Sequence, residues 1–293
     1  MSDDAAGRRQ PSAADVLVEV DELAQALADD QPPVVADVRW NLTGPPGLGE
    51  FEAGHIPGAQ WVDLEHELSG SPRGPGGRHP LPPVAVFEQA MRRIGVTAGR
   101  GVVVCDGANA LAASRLWWML TDAGFTDVRV LNGGVAAWRA AGQEVETGAA
   151  REVPPGDFVA AAGRRRLLDA DGVAVALERG ASVLVDVRAP ERYSGETEPM
   201  DPVAGHIPGA INLPSMSNAA ADGRFLPAAE LAARYSAAGV DESAILYCGS
   251  GVTAAHTLLA LAQAGISDAH LYAGSWSDWV SDPSRPVATG SQP

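Results

Sequence analysis

Short apolar runs punctuate this chain, and several end on a single polar residue. Val34–Asp37 and Val183–Asp186 are runs of this kind, and Gly101–Cys105 and Ala244–Tyr247 resemble them. Runs this short, apolar on both faces, predict strands buried between two layers. After the second pair come glycine-rich residues and then the Ala/Leu-rich stretches Ala112–Thr121 and Thr253–Ala264. Those stretches lack proline and hold good helix formers, so they predict helices. Strand, turn, helix and strand in alternation define an α/β fold, a parallel sheet with helices on both faces.

The pattern occurs twice. VVADVRW and GHIPGAQWVDL in the first half answer VLVDVRA and GHIPGAINLP in the second. VVVCDG answers ILYCGS, and LNGGVAAW answers LYAGSWSDW. Four blocks in one order read as a tandem duplication. The expected organisation is a disordered tail over 1–15, a first domain over 16–145, a linker over 146–163 around Pro154-Pro155-Gly156, and a second domain over 164–293. Gly70–Pro83 is a further Pro/Gly-rich loop.

Composition narrows the chemistry. The net charge of −16 disfavours nucleic acid, because an acidic surface repels phosphate. All 21 basic residues are arginines, which removes Schiff-base and lysine-base mechanisms. No apolar stretch approaches the roughly 20 residues of a membrane span. The start, MSDDAAGRRQPSAAD, lacks an apolar signal core, so a cytoplasmic protein is expected.

The two cysteines, Cys105 and Cys248, are too few for a disulfide framework or a Cys-rich zinc site. Cys248 follows a predicted buried strand and opens the loop Cys248-Gly249-Ser250-Gly251 before a helix near Thr253. This puts its sulfur at the carboxyl edge of a parallel sheet. The glycines let successive N–H groups turn inward, and the helix N-terminus adds positive potential. Both favour a thiolate or a persulfide anion. The plainer reading is a buried core cysteine. A Walker phosphate loop needs a lysine, and a cysteine phosphatase an arginine where Ala254 stands. Matching the repeats by strand sets Asp106, not Cys105, opposite Cys248. Cys105, beside that acid, reads as structural, and the first domain as a degenerate copy.

The paired DxR…GHIPGA blocks, CGSGVTA and LYAGSWSDW resemble the tandem-domain rhodanese family, from about Val16 to Val287. That resemblance implies two rhodanese-like domains, with the active cysteine only in the second and the site at the domain interface. It implies a sulfurtransferase that takes sulfur from 3-mercaptopyruvate, or alternatively thiosulfate, onto a Cys248 persulfide. The acceptor would be cyanide or a thiol such as reduced thioredoxin, and neither metal nor organic cofactor is called for. A non-catalytic sulfur carrier or binding module is the remaining alternative. The uncharged loop, with Gly249, Gly251, Val252 and Thr253 as donor contacts, matches the mercaptopyruvate branch. Ser250, His79 and Glu65 match that branch's proton relay, with Asp63 and His66 close to Glu65 in sequence. Arg192 matches a substrate-binding arginine. Glu198-Pro199-Met200 departs from the branch, which carries an arginine in place of Met200. His55, His206, Asp37, Asp186, Arg39 and Arg188 recur in both halves and read as structural.

Overall fold

The computed structural model describes residues 16–72, 76–161, 163, 167–180 and 182–293. The tail expected over 1–15 lies outside them. The first half runs β1 (Leu17–Val18), α1 (Val20–Leu27), β2 (Val34–Asp37), α2 (Leu48–Ala53), β3 (Gln60–Trp61), α3 (Leu64–Glu67), α4 (Val84–Arg93), β4 (Val102–Cys105), α5 (Ala113–Asp122), β5 (Val128–Leu131) and α6 (Gly134–Ala140). The second runs β6 (Leu167–Leu168), α7 (Ala170–Arg179), β7 (Leu184–Asp186), α8 (Pro190–Ser194), β8 (Ala210–Asn212), a 3₁₀ turn at Ser215–Asn218, α9 (Ala228–Ala237), β9 (Ile245–Tyr247), α10 (Val252–Gln263), β10 (His270–Tyr272) and α11 (Ser275–Trp279).

Each half forms a five-stranded parallel sheet, β1-β5-β4-β2-β3 and β6-β10-β9-β7-β8. The two orders are the same order. In register, Asp37 lies beside Cys105 on β4 and Asp186 beside Tyr247 on β9. Cys105 therefore corresponds to Tyr247, and Asp106 to Cys248, as the strand matching predicts.

The repeated DxR…GH blocks are a brace. Arg39 donates to Asp37 Oδ2 at 2.8 Å and to the Gly54 carbonyl at 2.7 Å. Arg188 repeats this with Asp186 at 2.6 Å and Gly205 at 2.6 Å. His55 stacks on Phe51 and His206 on Tyr193, ring centroids 3.9 and 3.8 Å apart. The brace ties the end of a central strand to the turn before the edge strand. It is the same in both halves, which fits a structural role.

One face of each sheet has its own core, around Leu23, Phe51 and Trp138 in the first half and Tyr193, Tyr272 and Trp276 in the second. The other faces share a single core, in which Leu116, Trp117 and Leu120 of α5 join Leu258, Leu259 and Leu261 of α10. α10 is buried almost all round, which is why its sequence shows little amphipathic pattern. The 146–161 stretch is strapped to the first domain. His55 pairs with Glu146 as a β-bridge, and Phe158 is buried edge-on to Phe87, centroids 5.6 Å apart. No described helix is long and apolar enough to cross a membrane.

Candidate active site

β9 ends at Tyr247, so Cys248 is the first residue beyond the strand, facing the start of α10. Gly251 makes the turn possible. Its φ is +81°, and a Cβ there would stand 2.2 Å from the Ala273 carbonyl oxygen. Its N–H donates to Cys248 Sγ at 3.1 Å. The N-terminal turn of α11 clamps the same loop: Trp276 and Ser277 N–H donate to the Cys248 and Gly249 carbonyls, both at 3.0 Å. Ser275 Oγ accepts the Cys248 N–H at 3.1 Å and lies 3.9 Å from Sγ. The first amides of α10 have no carbonyl within the helix and are free to serve an anion. Val252 turns its side chain into the shared core, so it offers the loop only its N–H. Thr253 is half-buried in the first turn.

The degenerate half displays what such a loop holds. Asp106, in the position of Cys248, is buried and accepts from the N–H groups of Ala108, Ala110, Ala112 and Ala113 at 3.1, 3.0, 3.0 and 3.3 Å. Burial raises its pKa, and these four N–H bonds oppose the rise. α10 begins four residues after Cys248, where α5 begins seven after Asp106, so beside the sulfur the amides without a helical partner are those of Gly251, which bonds Sγ, and of Val252, Thr253 and Ala254. Cys105 sits on the strand behind, fully buried, its thiol pushed up by burial and then by Asp37.

The first domain reaches over this loop. His79 Nδ1 lies 2.7 Å from Ser250 Oγ, and its Nε2 lies 3.2 Å from Glu65 Oε1. Trp40 Nε1 donates to the same Glu65 oxygen at 2.6 Å. The structure thus brings Ser250, His79 and Glu65 into one line. Asp63 is elsewhere occupied, capping α3 through the Glu65 and His66 amides and pairing with His66 Nδ1 at 2.8 Å. Burial holds His79 below its ordinary value of 6.5, with Arg115 and Arg78 acting the same way and Glu65 opposing them.

Arg192 stands above Gly249. A Cβ built on Gly249 would lie 3.4 and 3.5 Å from its two terminal nitrogens. Arg192 also donates to Glu198 Oε1 at 2.7 Å and Asp201 Oδ2 at 3.3 Å. Burial alone would raise Glu198, but hydrogen bonds from Arg192, Met200 N–H and Asp201 N–H hold it low. Met200 contributes its backbone N–H to Glu198 at 3.0 Å.

Sequence reasoning missed three residues of this region. Ser275 lies within the repeated LYAGSWSDW block, and that repetition was its signal. Arg78 precedes His79, pairs with Asp201 and brings its Nη2 to 2.9 Å from where a Cβ on Gly249 would stand. Arg115 lies on α5 and is fully buried. It donates to the carbonyls of Gly251 at 3.2 Å, His79 at 3.0 Å and Leu68 at 3.3 Å, with no carboxylate among its partners in the described residues. Burial lowers its pKa to about 10, with its electrostatic interaction with Cys248 opposing the drop, so Arg115 stays charged at neutral pH. Arg115 therefore ties the backbone of His79 and the Cys248 loop to one guanidinium. Among the described residues no cluster of three or more His, Cys, Asp or Glu could hold a metal.

The chain belongs to the rhodanese family: the model of the rhodanese-like domain matches it twice, over residues 19–141 and 169–282. It is an enzyme, a sulfurtransferase. It is 45% identical over 285 residues to the "Putative thiosulfate sulfurtransferase SseB" of Mycobacterium tuberculosis, covering 94% of this chain and 98% of that one. It is 43% identical over 281 residues to the "Probable 3-mercaptopyruvate sulfurtransferase" of Pseudomonas aeruginosa, covering 94% and 98%. The crystal structure of SseA from Escherichia coli, a 3-mercaptopyruvate sulfurtransferase, superposes with a TM-score of 0.78 at 33% identity, covering 89% of this chain and 99% of that one.

Proposed function

We propose that the enzyme moves sulfur from 3-mercaptopyruvate to a thiol or to cyanide through a persulfide on Cys248. The Ser250–His79–Glu65 line beside the loop carries this reading. Cys248 thiolate attacks the donor sulfur, the C–S bond breaks, and its electron pair goes to the pyruvate enolate. The donor's thiol proton passes through Ser250 and His79 and returns to the enolate carbon. The net products are pyruvate and the Cys248 persulfide anion. An acceptor thiolate, such as that of reduced thioredoxin, or cyanide then takes the outer sulfur and restores the thiolate. Glu65 accepting from Nε2–H leaves Nδ1 free to take the Ser250 proton. The amides of Gly251, Val252, Thr253 and Ala254 hold the persulfide, as the first domain's loop amides hold Asp106.

Thiosulfate is the second reading. Met200 brings no cation to the donor, and the Mycobacterium tuberculosis relative is named a "Putative thiosulfate sulfurtransferase". Sulfite leaves as a stable anion and asks nothing of a proton relay. Comparing kcat/KM for the two donors, with thiocyanate formation as readout, decides between them. A higher value with 3-mercaptopyruvate is expected, and a clear preference for thiosulfate would overturn the donor assignment.

The relay has a pH signature. His79 must be neutral to accept a proton, and burial holds its pKa below 6.5. The His79 limb of mercaptopyruvate turnover therefore has its midpoint below pH 6.5, with activity lost as the pH falls through it. His79→Asn lowers kcat with mercaptopyruvate by about 10²–10⁴-fold and with thiosulfate far less. Equal losses with both donors would remove the relay from the mechanism.

A further inference from the structure

One buried cation beside the Cys248 loop has no carboxylate to neutralise it. Around that loop stand Arg78 and Arg192 above Gly249, His79 at Ser250, and the Ser275 hydroxyl. Asp201 pairs with Arg78, and Glu198 and Asp201 pair with Arg192. Arg115 has no such partner among the described residues. It is fully buried, and its terminal nitrogens donate to the carbonyls of Gly251 at 3.2 Å, His79 at 3.0 Å, Leu68 at 3.3 Å and Pro80 at 3.4 Å. Its Nε is buried without a hydrogen-bond partner among the described residues. A guanidinium taken out of water without a counter-ion is costly, and carbonyl dipoles offset only part of that cost.

The Gly251 carbonyl has a particular place among these partners. It shares one peptide group with the Val252 N–H, and in a trans peptide the two point in opposite directions. Holding the carbonyl on Arg115 therefore turns the Val252 N–H away from Arg115, at the end of α10 that faces Cys248. The neighbouring Gly251 N–H already reaches Sγ there at 3.1 Å. The guanidinium also polarises the shared peptide, which makes its N–H a stronger donor.

We propose that Arg115 is a positioning residue for the sulfur anion of Cys248, acting from the first domain through the Gly251–Val252 peptide. The counter-charge missing from its surroundings is the one that the reaction creates, first as thiolate and then as persulfide. In a low-dielectric interior that attraction is strong. Arg115 and Cys248 interact electrostatically, and the same cation opposes protonation of His79. One buried charge thus favours the two states that transfer needs, an anion on sulfur and a neutral imidazole.

The inference rests on the reading of Cys248 as the sulfur carrier, and its test does not depend on turnover. Iodoacetamide alkylation of Cys248, followed by peptide mass from about pH 5 to about pH 10, reports the thiolate. Arg115→Met keeps the bulk and removes the charge. It is expected to raise the midpoint of that profile by about one unit or more, with the rate converging on the native rate at the alkaline end. Arg115→Lys keeps the charge, so its midpoint should stay within about half a unit of the native one. A merely structural role would change the rate at every pH and leave the midpoint in place. If the native chain makes thiocyanate and Arg115→Met leaves the midpoint unmoved, the proposal is wrong and the Cys248 reading stands. If the native chain makes none from either donor, the Cys248 reading itself is wrong. A measurement on the native chain guards against misfolding. With nitrogen-15 valine incorporated, the Val252 amide proton should move downfield as Cys248 ionises, with the midpoint that alkylation gives. A Val252 amide indifferent to that titration overturns the proposal.

Discussion

Cys248→Ser loses transfer from both 3-mercaptopyruvate and thiosulfate by at least about 10⁴-fold, the scale seen when a covalent nucleophile is removed. The loop is left intact, with the Gly251 turn and α11 clamp in place, so binding should change little. What goes is the nucleophile. A serine hydroxyl ionises only far above neutral pH, so the cradle has no anion to stabilise, and oxygen cannot carry a sulfane sulfur through the second step. Cys105→Ser is the control. That thiol is fully buried and pushed up by its surroundings, so its loss should leave turnover within about twofold. Thiocyanate assays on both variants check this.

Asp106→Ala should be the most destabilising single change in the first domain. It removes the acceptor of four N–H groups in a buried loop and replaces it with nothing. Removing one side of a buried charged network costs about 3–5 kcal/mol. At roughly 2–4 °C per kcal/mol for a domain of this size, the melting transition should fall by about 10 °C. Calorimetry reads this directly. Below the lowered transition Cys248 should still react with iodoacetamide, since its own loop is untouched. A shift of under about 2 °C would mean that the Asp106 cradle contributes little, and the analogy between the two loops would weaken with it.

Much of this was legible in the sequence because it repeats. The strand runs, the two-fold α/β organisation and the correspondence of Asp106 with Cys248 all follow from four matched blocks, and the sheet register agrees. The Ser250–His79–Glu65 line was reached through family resemblance, with Asp63 close to Glu65 in sequence. Asp63 has a local use as a helix cap, a fact that spacing alone does not announce. Arg78 and Arg115 were illegible for a different reason. Each acts across the domain interface, on residues about 140 to 170 positions away, and one sits on a helix whose sequence gives no sign that a guanidinium is buried. The two-residue edge strands β1, β3 and β6 were too short for any hydrophobic period to mark.

The central claim is that Cys248 carries the sulfur. The direct measurement treats the native chain with 3-mercaptopyruvate, without an acceptor, and maps its peptides by mass. The account predicts one added sulfur atom on the Cys248 peptide, none on the Cys105 peptide, and its loss on adding cyanide with equimolar thiocyanate released. Turnover without any sulfur-loaded Cys248, or sulfur loaded at another residue, would contradict it.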